Sequence, residues 1–110
     1  FKIIHCDEFQ TEGTDKIAER IKKRVGNNPL YLSIDIDVLD PAFAPGTGTP
    51  EIAGMTTREM VNVLRGLSGL NLISADVVEV APAYDHAEVT SLAAATIIYE
   101  LTNLFAKIDR

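Results

Sequence analysis

Hydrophobic positions along this chain fall into short dense runs and longer spaced stripes, and the alternation of the two predicts its elements. Residues 30–36 form a nearly continuous apolar run, Leu30-Tyr31-Leu32-Ser33-Ile34 followed by Asp35 and Ile36, of the kind that makes a buried strand. A second run rich in Val and Ile covers 70–80, and a shorter one at 2–6 predicts a third strand in which Cys6 is a small buried residue. Between the strands the period lengthens. Ile17, Ile21 and Val25 recur every four residues over 14–25, with Thr14 as N-cap, Asp15 in the first turn and Gly26-Asn27-Asn28-Pro29 as the stop. Met60, Val61, Leu64 and Leu67 mark another helix. It opens at Thr56 or Thr57, with Glu59 three residues after Thr56 as in a capping box, and ends at Gly66 and Gly69. The longest helix keeps its rhythm through Val89, Leu92, Ala93, Thr96, Ile97, Leu101, Leu104, Phe105 and Ile108.

The resulting order is β-α-β-α-β-α, with connections too long for hairpins, so the strands are expected to be parallel and the fold class α/β, with helices covering the sheet. Residues 1–110 read as one partial domain. Three strands would leave an edge of the sheet bare, and the chain opens on Phe1-Lys2-Ile3-Ile4 without an initiator Met, so the expectation is a portion of a longer protein.

Composition narrows the partners. A formal net charge of −6 over 110 residues disfavours nucleic acid and anionic membranes, and Lys16, Arg20, Lys22, Lys23 and Arg24 share one helix, where they read as a solvated face. Cys6 is the only cysteine, which rules out an internal disulfide and suggests a reducing, cytoplasmic setting. No apolar run in the sequence reads as a membrane span.

The candidate chemistry lies where the central strand stops. Asp35 and Asp37 flank Ile36, and side chains two apart on a strand share a side, so both carboxylates can converge on one target. Charge at the mouth of an apolar strand is costly unless a cation uses it, and oxygen donors of this type suit Mn²⁺ or Mg²⁺. The Pro/Gly-rich loop that follows, from Asp40-Pro41 to Thr49-Pro50, forces the chain out of the sheet there. Glu79, in Val77-Val78-Glu79-Val80, is expected on the same rim, where a carboxylate could pair with a guanidinium through two parallel hydrogen bonds or simply with a lysine or arginine elsewhere. Asp7 and Glu8 would close the first strand at this end too. Ser33 and Asp76 are candidates for a supporting shell, Ser33 toward a ligand carboxylate and Asp76 toward a neighbouring side chain or loop amide. His5 and His86 have no second histidine at ligand spacing and read as surface or loop residues.

Two stretches carry a family resemblance. Ser33-Ile34-Asp35-Ile36-Asp37, continued by Leu39-Asp40-Pro41-Ala42-Phe43-Ala44-Pro45-Gly46-Thr47-Gly48-Thr49-Pro50-Glu51, resembles a signature of the ureohydrolase (arginase/agmatinase) family. Ala75-Asp76-Val77-Val78-Glu79-Val80-Ala81-Pro82-Ala83-Tyr84-Asp85-His86 is similar to the agmatinase-type branch of it. The resemblance implies the C-terminal third of a three-layer αβα enzyme with two Mn²⁺ ions per site. It implies that Asp35 bridges the ions, Asp37 binds one of them, and Glu79 receives a small guanidino substrate. It also implies attack by a metal-bridging hydroxide, with agmatine yielding putrescine and urea, in a homo-oligomer. The Gly-Gly-Asp-His and Asp-Ala-His-x-Asp ligand motifs and the proton-transfer histidine of that family are not in this sequence, so the chain by itself is expected to be inactive. Two other classes stay open on the residues alone: a Mg²⁺-dependent phosphotransfer or receiver module, and a non-catalytic remnant that associates through its sheet edge.

Overall fold

The computed structural model describes residues 1–106. Helices α1 (Cys6–Glu12) and α2 (Thr14–Val25) lead into strand β1 (Leu30–Asp35), then α3 (Thr57–Gly66), β2 (Leu72–Val78) and α4 (Val89–Ala106), with short 3-10 turns at Ile36–Val38 and Pro82–Tyr84. β1 and β2 pair in parallel, with Ser33 opposite Asp76, Ile34 opposite Val77 and Asp35 opposite Val78. The parallel α/β expectation holds, with two strands among the described residues rather than three.

Alternation along the strands decides where the core lies. Leu30, Leu32 and Ile34 point with Leu72, Ala75 and Val77 into the apolar cluster, where Met60, Leu64 and Leu67 of the α3 region meet Ile97, Leu101 and Leu104 of α4. The opposite face carries Tyr31, Ser33 and Asp35 beside Ser74, Asp76 and Val78. α2 crosses α3 at Gly66, where a Cβ would come within 2.6 Å of the Ala18 Cβ, so the missing side chain is what lets the helices approach. The capping box of α3 is present: Glu59 N–H donates to the Thr56 hydroxyl at 3.1 Å and Thr56 N–H to the Glu59 carboxylate at 2.8 Å.

Four expectations are corrected. Residues 2–5 form no strand, and Cys6 opens α1 instead, because no described strand lies beside this run to pair its backbone and because Glu8 caps the His5 amide at 2.7 Å. Asp7 and Glu8 therefore do not join the strand-end rim; Glu8 and Glu12 bind Arg20 at 2.8 and 2.6 Å, so Arg20 is half-buried rather than part of a solvated face. The 70–80 run yields only Leu72–Val78, since Glu79 turns into left-handed backbone at φ 66°. Finally, α4 has 18 residues of mean hydropathy 1.3, long and apolar enough by composition to cross a membrane; 39% of it is buried, with one face in the core. Ile108 lies outside the described residues.

Candidate active site at the strand ends

The β1 strand stops at Asp35, and Asp37 lies in the 3-10 turn that follows, so the two carboxylates are brought together by the turn rather than by strand alternation. The Asp37 amide donates to Asp35 Oδ1 at 3.2 Å, which folds the turn back on the strand end. Asp35 is exposed, yet desolvation of its carboxylate at the strand mouth, together with the Asp37 carboxylate alongside, raises its pKa above the usual range even though its neighbour's amide opposes the shift. Asp37 is held from the other side by the Thr49 hydroxyl, which donates to its Oδ2 at 2.8 Å.

That contact depends on the loop 40–55, which is closed at its base. Asp40 N–H donates to Met55 O at 2.9 Å and Met55 N–H to Val38 O at 2.8 Å. Asp40, one of the acidic positions of the sequence motif, spends its carboxylate on loop amides, accepting from Ala42 at 2.8 Å and Ala53 at 3.0 Å. It organises the loop instead of facing a ligand.

Glu79 follows Val78, the residue opposite Asp35, so it stands on the rim of the neighbouring strand. It is exposed and adopts φ 66°, a conformation that costs a non-glycine residue about 1–2 kcal/mol. Among the described residues no lysine or arginine pairs with it. Ser33 and Asp76 meet directly across the strands, the Ser33 hydroxyl donating to Asp76 Oδ1 at 2.6 Å, and the Tyr31 hydroxyl donates to the same carboxylate. These bonds hold the Asp76 pKa down and push the Tyr31 phenol up. Ser33 thus turns to Asp76, not to Asp35. His5 and His86 are both exposed, and the Cys6 thiol is pushed up by burial and by Glu59 and Asp7, the opposite of what a nucleophile needs.

Pattern reading missed Thr49, Asp85 and Thr90. Thr49 lies inside a loop whose fold no periodicity encodes. Asp85 accepts the amides of His86, Thr90 and Ser91, each at 2.9 Å, which makes it the cap of α4 from outside the usual position. The signal available was the Asp followed by two hydroxyl residues at 90 and 91, at the head of a long apolar helix.

Comparison with known proteins identifies the family and the fold. The family model described as Arginase family matches residues 1–103. A putative agmatinase from Schizosaccharomyces pombe is 61% identical over 107 residues, covering 97% of this chain and 27% of that protein. An agmatinase from Photorhabdus laumondii is 51% identical over 110 residues, covering 100% of this chain and 36% of the relative. Among solved structures, a hypothetical agmatinase from Burkholderia thailandensis superposes with TM-score 0.94 at 48% identity, over 96% of this chain and 33% of that one. A proclavaminate amidino hydrolase from Streptomyces clavuligerus gives 0.95 at 44% identity, over 98% and 36%. The chain spans between a quarter and about a third of the length of these proteins. A family model matched over nearly the whole chain, including the strand ends and loop just described, means that the chain belongs to the arginase family.

Proposed function

We propose that this chain supplies one wall of the active site of a manganese-dependent hydrolase of guanidino compounds, with agmatine, cleaved to putrescine and urea, as the substrate. The observation that carries the reading is the Asp35 and Asp37 pair at the end of β1, beside a Glu79 at the next strand end whose carboxylate no lysine or arginine of the described chain neutralises. Carboxylates without a basic partner repel one another, and a cation that joins them turns that repulsion into attraction.

The residues present fit part of a metal centre. Asp35 and Asp37 are hard oxygen donors, and Thr49 fixes the orientation of Asp37. Among the described residues no third His, Cys, Asp or Glu gathers with them, so a pair of manganese ions needs ligands from beyond these residues. Manganese, when bound, supplies Lewis acidity that activates water at neutral pH. The chain's own work is to hold charge in place: Asp35 and Asp37 present oxygens to the ions, and Glu79 accepts two guanidinium N–H groups side by side and orients the carbon to be attacked. The names of the agmatinase relatives favour agmatine. The 44% identity to the proclavaminate amidino hydrolase favours a different amidino compound as the second reading. A cytoplasmic homo-oligomer acting on a small molecule completes the proposal.

Urea release tests it, measured on the protein extended to the length of its relatives, with agmatine, guanidinobutyrate and arginine offered in turn. Manganese-dependent release from agmatine is the expected result, with none from residues 1–110 alone and only weak Mn²⁺ binding by them. An extended protein that releases no urea, or residues 1–110 that bind two ions tightly and turn over, would overturn it.

A further inference from the structure

Beyond the paired strands, Gly46 is where the loop that follows β1 meets the segment that follows β2. Its N–H donates to the Thr90 hydroxyl at 2.8 Å, its carbonyl accepts from the Ala81 amide at 2.8 Å, and a Cβ on it would sit 2.8 Å from the Asp85 Cβ and 2.9 Å from the Asp85 Cα. One side of this junction runs through the loop to Thr49 and Asp37. The other runs two residues back from Ala81 to Glu79.

Behind the junction stands a rigid block. Thr90 is completely buried, and Asp85 gathers four hydrogen bonds, from the amides of His86, Thr90 and Ser91 and from the Ser91 hydroxyl at 3.1 Å. To reach back over the first turn of α4 the chain passes through two consecutive left-handed residues, Ala87 at φ 50° and Glu88 at φ 60°. Strain of that kind persists only where the surroundings over-determine it. A buried threonine that uses its side chain to receive a loop amide, next to a strained and fully bonded cap, ties the loop to α4 at one defined place.

We infer that Asp85 and Thr90 are positioning residues which, through Gly46, set where the loop, and with it Asp37, stands relative to Glu79, while the pairing of β1 with β2 already places Asp35. The inference rests on the reading of the site given above, in which a guanidinium lies between those groups. Neither residue touches substrate or metal. Thr90 fixes where the loop sits, Asp85 fixes Thr90, and the loop fixes Asp37.

The test uses the extended protein with Mn²⁺. Thr90→Val keeps the buried shape and removes the acceptor, Thr90→Ser restores it, and Gly46→Ala forces loop and cap apart. Thr90→Val should lower kcat on agmatine about tenfold to a hundredfold, as expected for a reacting group displaced by a fraction of an ångström to one ångström, while bound manganese stays within twofold. Gly46→Ala should do the same or worse, Thr90→Ser should recover most of the loss, and amide exchange at Gly46 should quicken in Thr90→Val. Faster exchange at Gly46 with kcat and KM within twofold of wild type would overturn the inference, as would failure of Thr90→Ser to rescue. Should the wild-type protein release no urea from any guanidino compound, the proposed reaction falls separately, and guanidinium chloride titration followed at the Glu79 amide decides the positioning role. Tenfold weaker binding in Thr90→Val supports it, and unchanged binding overturns it.

Discussion

Glu100 is a buried carboxylate and Asp35 an exposed one at a strand end, and the chain treats them in opposite ways. Glu100 lies in the α3 and α4 packing with its side chain 7% exposed, and Arg65 meets it with Nε at 3.1 Å from both oxygens and Nη2 at 2.6 Å. Charge there is matched within the chain, in the forked geometry that arginine is built to give. Asp35 has Asp37 beside it, another negative group, and the bonds both receive come from amides and hydroxyls. The helix side of the molecule spends its charges on itself. The strand-end side leaves its carboxylates without a basic partner among the described residues, as the metal and guanidinium site proposed above requires.

Breaking the strand-end side should have the largest effect. In the extended protein Asp35→Asn or Asp37→Asn should reduce manganese-dependent urea release by at least about a thousandfold and strip bound manganese, since each change removes charge that holds the ions. Near-normal rate and metal content in both variants would remove the metal assignment. Glu79→Gln should follow with a loss of about a hundredfold at almost unchanged manganese content, because it deletes the pairing to a guanidinium without touching an ion. Metal lost in step with activity would make Glu79 a ligand.

The helix side should respond in stability rather than chemistry. Arg65→Met keeps the aliphatic stem and removes the guanidinium from Glu100, and calorimetry should find the melting temperature of residues 1–110 lowered by about 5 °C. An unchanged melting point would mean that this pair is ornamental.

The smallest effect is a contrast in pH dependence. Burial opposes charge on Asp85, yet bonds from Thr90, Ser91 and His86 outweigh it and hold its pKa far below the usual range. A folded pKa below the unfolded one gives stability that is present above about pH 4 and drains away as pH falls below it. Asp35 has its pKa raised, so in metal-free protein it has the reverse sign: a group that binds its proton more tightly when folded loses stability as pH rises through its titration. Metal-free Asp35→Asn should therefore melt slightly higher than wild type at pH 7, the effect being small because Asp35 is exposed and screened by water, whereas Asp85→Asn should melt lower. The same direction in both would end the comparison.

Much of this was legible in the residues. The α2 stripe, the Thr56 and Glu59 capping box and the apolar run at 30–36 are local signals, and local signals suffice where packing agrees with propensity. The acidic pair was legible for the same reason, since charge at the end of an apolar run is conspicuous. Residues 2–5 were misread because a strand is a partnership: an apolar run has no β structure until a neighbour supplies hydrogen bonds, and His5 to Glu8 offered a helix start instead. Thr49, Asp85 and Thr90 stayed hidden because their partners lie 12, 5 and 44 residues away, across loops whose path no periodicity records.

The parallel pairing of β1 and β2 also governs how the molecule is assembled. Parallel strands cannot zip up from a hairpin turn, and the first rung here, Leu30 N–H to Asn71 O at 2.8 Å, closes over the whole Pro/Gly loop and α3. The entropy of that closure is lost before later rungs reward it, so sheet formation sits late and depends on α3 being in place. With reciprocal capping at its start and a close crossing over Ala18 at its end, α3 is the segment equipped to form early and wait. The strand ends that carry Asp35, Asp37 and Glu79 would then be among the last parts of the chain to come together, and Asp35 and Asp37 would meet as like charges only once the rest of the fold is there to restrain them.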